Sequence, residues 1–248
     1  MSKIFDALRK AELDPSPLTT PARPSLARPK VHPRRLELFQ SEFGRLCSAL
    51  QGAFPKAKQG QVVLVVGCVE REGATYVTSN LGRVLAATAG GPILCMDANF
   101  HSPDLPDVFD IGQEYGLADV YENGRARDLS SVIRAGDVNR LYVLGSGKRR
   151  ISPVAFFESR EFELLLTSLR RTFRLVLVDG PPLLRHSDAI HLAANVDGIV
   201  LVVRSKHLKR EVIRKGIEML ESIDAPIVGA VLNRRKFAIP TLIYKILS

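Results

Sequence analysis

The sequence contains no run of the roughly eighteen apolar residues that a membrane-spanning helix needs, although 46% of its 248 residues are hydrophobic. Its N-terminal stretch, MSKIFDALRKAELD, is charged throughout and lacks the apolar centre of a secretory signal. Cysteine is scarce, and Cys47, Cys68 and Cys95 lie too far apart for metal-ligand spacing. Cys68 and Cys95 close apolar runs, which predicts buried, reduced thiols. These absences predict a soluble, cytoplasmic protein. Aromatic residues make up only 6% of the chain, and tryptophan is missing. None interleaves with the basic clusters, as stacking on single strands would require, so nucleic acid is not an expected partner.

Positive charge is plentiful, with a net charge of +9. Residues 1–36 hold eight Lys/Arg against Asp6, Glu12 and Asp14, and GKRR at 147–150 and NRRK at 233–236 add two further clusters. Such clustering favours anionic neighbours, either lipid headgroups or a nucleotide.

The chain divides into four expected segments. Residues 1–13 place Ile4, Leu8 and Ala11 on one face of a short amphipathic helix, with Phe5 beside them. Residues 14–35, with six prolines from Pro15 to Pro33, read as an extended basic linker. Residues 36–236 form the main domain, which opens on an amphipathic helix carrying Leu36, Phe39, Phe43, Leu46 and Leu50. Residues 237–248 form a tail with an apolar stripe of Ile239, Leu242, Ile243, Ile246 and Leu247.

Within the domain, apolar strands at 61–66, 92–96, 140–144, 174–178, 198–203 and 226–231 alternate with helices near 74–89, 158–171, 186–194 and 207–222. Near-continuous Val/Leu/Ile strands imply burial on both faces of a parallel sheet. The alternation predicts a doubly wound, mostly parallel α/β fold that binds its ligand at the carboxyl ends of the strands.

Three strand ends carry chemistry. VVLVVGCVEREGAT (62–75) has the layout of a phosphate-binding loop: strand, glycine turn, helix. Such a loop cradles phosphates with backbone N–H groups, while a lysine reaches the outer phosphates and a hydroxyl holds Mg²⁺. Gly67, Gly73 and Thr75 fit that layout, but Ala74 stands where the lysine belongs. The strand in PILCMDANFHSPDL ends at Asp97, and the strand in FRLVLVDGPP ends at Asp179. An acidic residue after a buried strand, opposite a phosphate loop, is a usual holder of Mg²⁺.

Further segments carry a resemblance: GLADVYENG (116–124), LYVLGSGKRRISPVAFFESREFELLLTSLRRTF (141–173), VLVDGPPLLRHSDA (176–189), VDGIVLVVRS (196–205) and IVGAVLNR (227–234). From about Arg35 to Arg234 the chain resembles the cytoplasmic kinase domain of bacterial tyrosine kinases. These are the BY-kinases of capsule and exopolysaccharide synthesis, within the Min-type deviant P-loop ATPases. The N-terminal MSKIFDALRKAE resembles the opening of stand-alone members.

The resemblance implies a P-loop NTPase fold, ATP and Mg²⁺ as cofactors, and a membrane polysaccharide co-polymerase as partner. It also implies homo-oligomeric rings and a place at the inner membrane, peripheral and reached through that partner. The implied nucleotide-binding residues are Gly67, Glu72, Gly73, Ala74, Thr75 and Asn233, the last at the adenine position. Thr75, Asp97 and Asp179 are the implied Mg²⁺ holders, with Asp97 and Asp179 also the catalytic acids. Tyr244 is the candidate phosphoacceptor, alone where the family has a tyrosine cluster.

The departures are concentrated in the site. The family loop Pro-Gly-x-Gly-Lys-Ser becomes Glu70-Arg71-Glu72-Gly73-Ala74-Thr75. In the Asp-x-Asp-x-Arg motif only Asp97 remains, with Asn99 and His101 following, and Gly180 stands where Thr or Ser is usual after Asp179. The ring-forming pattern Glu-x-x-Arg-x-x-Arg is matched by Glu42 and Arg45, then fails at Ser48. Losing an electrostatic donor of the lysine's kind costs roughly 10²–10³ in rate, about 3–4 kcal/mol. The expectation is a degenerate site, with ATP and Mg²⁺ bound weakly or not at all, in a regulatory pseudokinase. An active autokinase with Arg71 as substitute cation is the first alternative, and a Min-type positioning ATPase the second.

Overall fold

The computed structural model describes residues 33–54, 59–122 and 125–234. The expected helix at 1–13, nearly all of the proline-rich linker, and the tail at 237–248 with Tyr244 lie outside these residues. Helix α1 (Pro33–Ala53) begins at Pro33, so residues 33–35, expected in the linker, are already helical. Proline suits that first turn because its missing N–H would have no helical partner there.

Strand β1 (Gln61–Gly67) is buried from Val62 onward and leads through a loop to α2 (Ala74–Thr88) and β2 (Ile93–Asp97). There follow α3 (Leu105–Phe109), the small hairpin of β3 (Tyr121–Glu122) and β4 (Arg125–Ala126), then β5 (Ile133–Ala135) and β6 (Leu141–Leu144). The rest alternates: α4 (Pro153–Phe157), α5 (Arg160–Thr172), β7 (Leu175–Asp179), α6 (Asp188–Ala193), β8 (Gly198–Arg204), α7 (Arg210–Glu221), β9 (Ile227–Asn233).

Seven strands form one sheet in the order β5-β6-β2-β7-β1-β8-β9, parallel throughout except β5, which runs antiparallel to β6. This is the doubly wound α/β architecture expected from the strand–helix alternation. The three-residue edge strand β5 and the short helices α3 and α4 were not expected; pieces this short carry too few residues for a periodicity to register.

Each face of the sheet has its own core. Val63, Val65, Cys95 and Leu177 face α1 and α2, where Phe43, Cys47, Leu50, Val77 and Leu81 cover them. Val62, Leu64, Met96 and Val178 belong to the opposite cluster, with Phe162, Leu166 and Leu169 of α5 and Leu192 of α6. Cys47, Cys68 and Cys95 are free and buried. Burial pushes the thiols of Cys47 and Cys68 up to about 11, so neither is a reactive nucleophile at neutral pH.

The segment SPVAFFESREF (152–162) is a structural joint. The expected helix at 158–171 is α5, starting at Arg160 with Ser159 as its cap, and the unexpected short helix α4 ends just before it at Phe157. Its hydroxyl donates to the Phe156 carbonyl at 2.6 Å and accepts from the Phe162 N–H at 3.2 Å, capping α5. Phe162 is fully buried, with its ring 5.1 Å from Phe157 and 5.3 Å from Phe156. Phe162→Ala is therefore expected to lower stability by about 3–5 kcal/mol. Urea denaturation would show this as a lower midpoint with an unchanged slope; a loss under about 1 kcal/mol would mean the joint does not depend on that ring.

Candidate nucleotide site

The loop between β1 and α2 lies at the carboxyl edge of the sheet. Gly73 precedes the helix at φ 92° and Arg71 adopts the left-handed region at φ 63°. An arginine there costs about 1 kcal/mol relative to glycine, so the departure at 71 stores strain in the loop. The first helical hydrogen bond runs from the Val77 N–H to the Gly73 carbonyl at 3.0 Å. The amides of Ala74, Thr75 and Tyr76 thus come before the helical ladder begins, the usual setting for an anion at a helix N-terminus.

Two residues expected to bind cofactor shape this loop from within. Glu72 is buried, and its carboxylate accepts from the Val69 N–H at 3.0 Å and the Arg204 N–H at 3.3 Å. It therefore ties the loop to its own start and to the end of β8. Asn233, the last residue of β9, donates its side-chain amide to the Glu72 carbonyl at 2.8 Å. A side chain at Gly73 would place Cβ 2.2 Å from that amide nitrogen, and one at Gly67 would meet the Glu72 carboxylate at 2.8 Å. Glu70 is exposed and lies 3.6 Å from Arg185, a solvated pair of little energetic weight.

The parallel register places Asp97 directly beside Asp179, at the ends of β2 and β7. Both carboxyls are buried. Asp97 accepts from the Leu105 N–H at 3.0 Å and the Asn99 N–H at 3.1 Å. Burial nevertheless pushes its carboxyl up to about 7; the two amides oppose the shift and the Asp104 charge adds to it. Asp179 is raised well above the usual carboxylate range by burial first and by the Asp97 charge second, with the Thr75 and Thr78 hydroxyls opposing. Thr78 donates to Asp179 Oδ1 at 3.5 Å, whereas Oδ2 is buried with no hydrogen-bond partner among the described residues.

An orphaned carboxylate oxygen beside a second buried carboxylate and a threonine hydroxyl is the hard, oxygen-only donor set that suits Mg²⁺. The residues present therefore fit that ion. What they lack is the cation at 74, where the half-buried Ala74 opens α2.

The structure brings together Gly67, Glu72, Gly73, Ala74 and Thr75 along the loop and the start of α2, with Asn233 reaching them from the end of β9 and Asp97 and Asp179 paired on adjacent strands. An open cleft of about 910 Å³ leads to the loop, between α1, α2 and the end of β9. Phe43, Arg45, Leu46, Gly73, Tyr76 and Asn233 line it. Arg45 of the ring-forming pattern is thus beside the site, and the Ser48 hydroxyl is bonded to the Gly44 carbonyl within its own helix. Gly180, where a hydroxyl residue was the family norm, would place a Cβ 2.5 Å from Leu64 Cδ1. Sequence reading missed Thr78, one helical turn beyond Thr75, although that spacing alone puts both hydroxyls on one face of α2.

A glycine turn between a buried strand and a helix, opposite two acidic strand ends in a parallel sheet, defines a phosphate-loop NTPase fold. No family model matches the chain. Tyrosine-protein kinase CpsD of Streptococcus agalactiae is 29% identical over 185 residues, covering 74% of this chain and 80% of the relative. The crystal structure of the VpsO kinase domain superposes with a TM-score of 0.70 at 25% identity, over 82% of this chain and 97% of that one. The cell-division ATPase MinD of Pyrococcus furiosus shares the fold, with a TM-score of 0.59 at 22% identity over 76% of this chain and 79% of that one. The chain is thus similar in sequence to bacterial tyrosine-protein kinases, and it has the MinD-like P-loop fold.

Proposed function

We propose that this chain is a regulatory pseudokinase of capsule or exopolysaccharide synthesis and export, working on a membrane polysaccharide co-polymerase. The observation that carries the reading is Ala74 at the head of α2, the position of the expected lysine, in a fold that keeps the buried carboxylates of Asp97 and Asp179 paired. Phosphoryl transfer relies on positioned positive charge for the transition state, and the loop has lost its main source. No helix among the described residues is long and apolar enough to cross a membrane, which is in keeping with attachment through a partner. The basic clusters would favour an anionic membrane surface nearby.

When bound, Mg²⁺ would neutralise charge on nucleotide phosphates. Thr75 and Asp179 are the residues placed to hold it, with Asp97 beside them. The amides at the start of α2 would receive phosphate, and Glu72 with Asn233 would keep the loop in shape. Nucleotide is thus retained weakly, as a conformational ligand rather than a substrate. In the same reading, the cleft beside Arg45 is where a second copy of the chain would approach.

The competing reading is an autokinase in which the exposed Arg71 replaces the lysine, with Tyr244 as acceptor. Incubating the full chain with Mg-ATP and measuring phosphotyrosine separates the two. The expected result is no phosphotyrosine above background, and no change in Arg71→Ala. Robust labelling of Tyr244 that Arg71→Ala abolishes would replace the pseudokinase with the autokinase. The positioning-ATPase reading would need binding to lipid or DNA at low salt.

A further inference from the structure

Beyond the two carboxylates, the same two chain segments converge a second time. His101 lies on the loop after β2, His186 on the turn between β7 and α6, and Asp188 opens α6. One donor atom from each of the three lies within 4.8 Å of the others. His101 Nε2 sits 3.0 Å from Asp188 Oδ2 and 3.2 Å from Oδ1. The His101 and His186 rings stack with centroids 3.7 Å apart and planes 12° from parallel.

We propose that His101, His186 and Asp188 form a binding site for a divalent transition-metal ion of the Zn²⁺ class. Asp188 is buried, in the first turn of α6, so its carboxylate is already desolvated and fixed in place. A buried carboxylate calls for a positive partner, and a neutral imidazole offers only a hydrogen bond. Burial first, and the His101 ring stacked against it at 3.7 Å second, favour the neutral form of the His186 imidazole. Neutral imidazole nitrogen is the form that a borderline metal takes as ligand.

The donor set of two nitrogens and one carboxylate favours Zn²⁺, Ni²⁺ or Co²⁺ over Mg²⁺, which prefers oxygen alone. It is therefore chemically distinct from the Thr75–Asp97–Asp179 set. Tetrahedral Zn²⁺ bonds of about 2.0–2.1 Å need donors roughly 3.3 Å apart, and the two rings must turn out of their parallel stack so that each directs a nitrogen at the ion. Both histidines are partly open to solvent, which leaves an entry path and room for water to complete the shell. The ion would clamp together the two loops that follow Asp97 and Asp179.

The test uses the full chain, stripped with a chelator and titrated with ZnCl₂ against a chromophoric chelator in excess Mg²⁺. One Zn²⁺ per chain at micromolar or tighter affinity is expected. His101→Gln and His186→Gln should each weaken it by roughly tenfold or more, since even indirect metal partners are worth that much. His207→Gln, at a histidine outside the cluster, should leave it unchanged. Co²⁺ loaded into the wild type should show visible ligand-field bands that both cluster variants lose. Melting curves of the stripped proteins check folding; should a variant fail to fold, the wild-type Co²⁺ spectrum decides alone, its absence overturning the site. Binding that Mg²⁺ displaces, or that survives both cluster substitutions, would also overturn it.

Discussion

Asp179→Asn is expected to raise the melting temperature at pH 8, on the order of 5 °C, and to lose that advantage as the pH approaches 4. The reason is the isolated carboxylate pair at the ends of β2 and β7. In the unfolded chain an aspartate ionises near its ordinary value of about 4. In the folded protein burial raises both carboxyls, Asp97 to about 7 and Asp179 well above its usual range. Between those limits the folded state binds more protons than the unfolded state, so stability falls as pH rises.

For Asp97 the span from 3.8 to about 7 corresponds to a penalty on the order of 4 kcal/mol at pH 8, fully absent below pH 4. Asparagine at 179 removes one charge and relieves its neighbour, while keeping the shape that Thr78 contacts. Position 97 is the poorer choice, because there both carboxylate oxygens accept backbone N–H bonds that an amide cannot both satisfy. Added Mg²⁺ should stabilise the wild type more than the variant. Thermal melts between pH 4 and 8 check this; a variant less stable than wild type at pH 8, or a gain independent of pH, would remove the buried-charge account.

The second large effect is a gain. Arg71→Gly together with Ala74→Lys restores the family's glycine and lysine in the loop. Glycine at 71 relieves an arginine held at φ 63°, worth about 1 kcal/mol of stability. Lysine at 74 supplies the missing cation, and any Mg-ATP turnover is expected to rise by roughly 10²–10³. Calorimetry should show tighter Mg-ATP binding in the double variant than in either single one. The loop has the architecture to accept the lysine: its turn, Gly73 at φ 92° and the Glu72–Asn233 tie are all in place. No gain in affinity would mean that Asn99 and His101, or a changed loop shape, had already dismantled the site.

Why the sequence could anticipate some of this and not the rest follows from range. Strands β1, β7 and β8 are continuous apolar runs, buried on both faces, and such runs state their own fate. The end of each run, where Asp97 or Asp179 interrupts it, is legible for the same reason. So is the missing lysine, because the loop is a local pattern in which one position is wrong. The short helix α4 was less so: Pro153 and Ser159 are local signals, but five residues are too few for a periodicity to register, and only the packing of Phe156 and Phe157 on Phe162 shows the joint.

The charge state of the carboxylates depends on strand order. Asp97 and Asp179 become neighbours only because β7 inserts between β1 and β2, and no local pattern encodes that insertion. Glu72 looks like a surface residue among charged neighbours, yet it turns inward to accept amides from Val69 and the distant Arg204. Asn233 reaches the loop because β9 ends beside it, and His101 meets His186 and Asp188 because the loops after β2 and β7 share one edge. By itself, then, the sequence determined the α/β class, the strand ends that carry acid and the loss of the loop cation, each a matter of residues close along the chain. The pairing of the acids, the inner bracing of the loop and the histidine cluster were decided by the tertiary structure, because each joins residues that only sheet topology brings together.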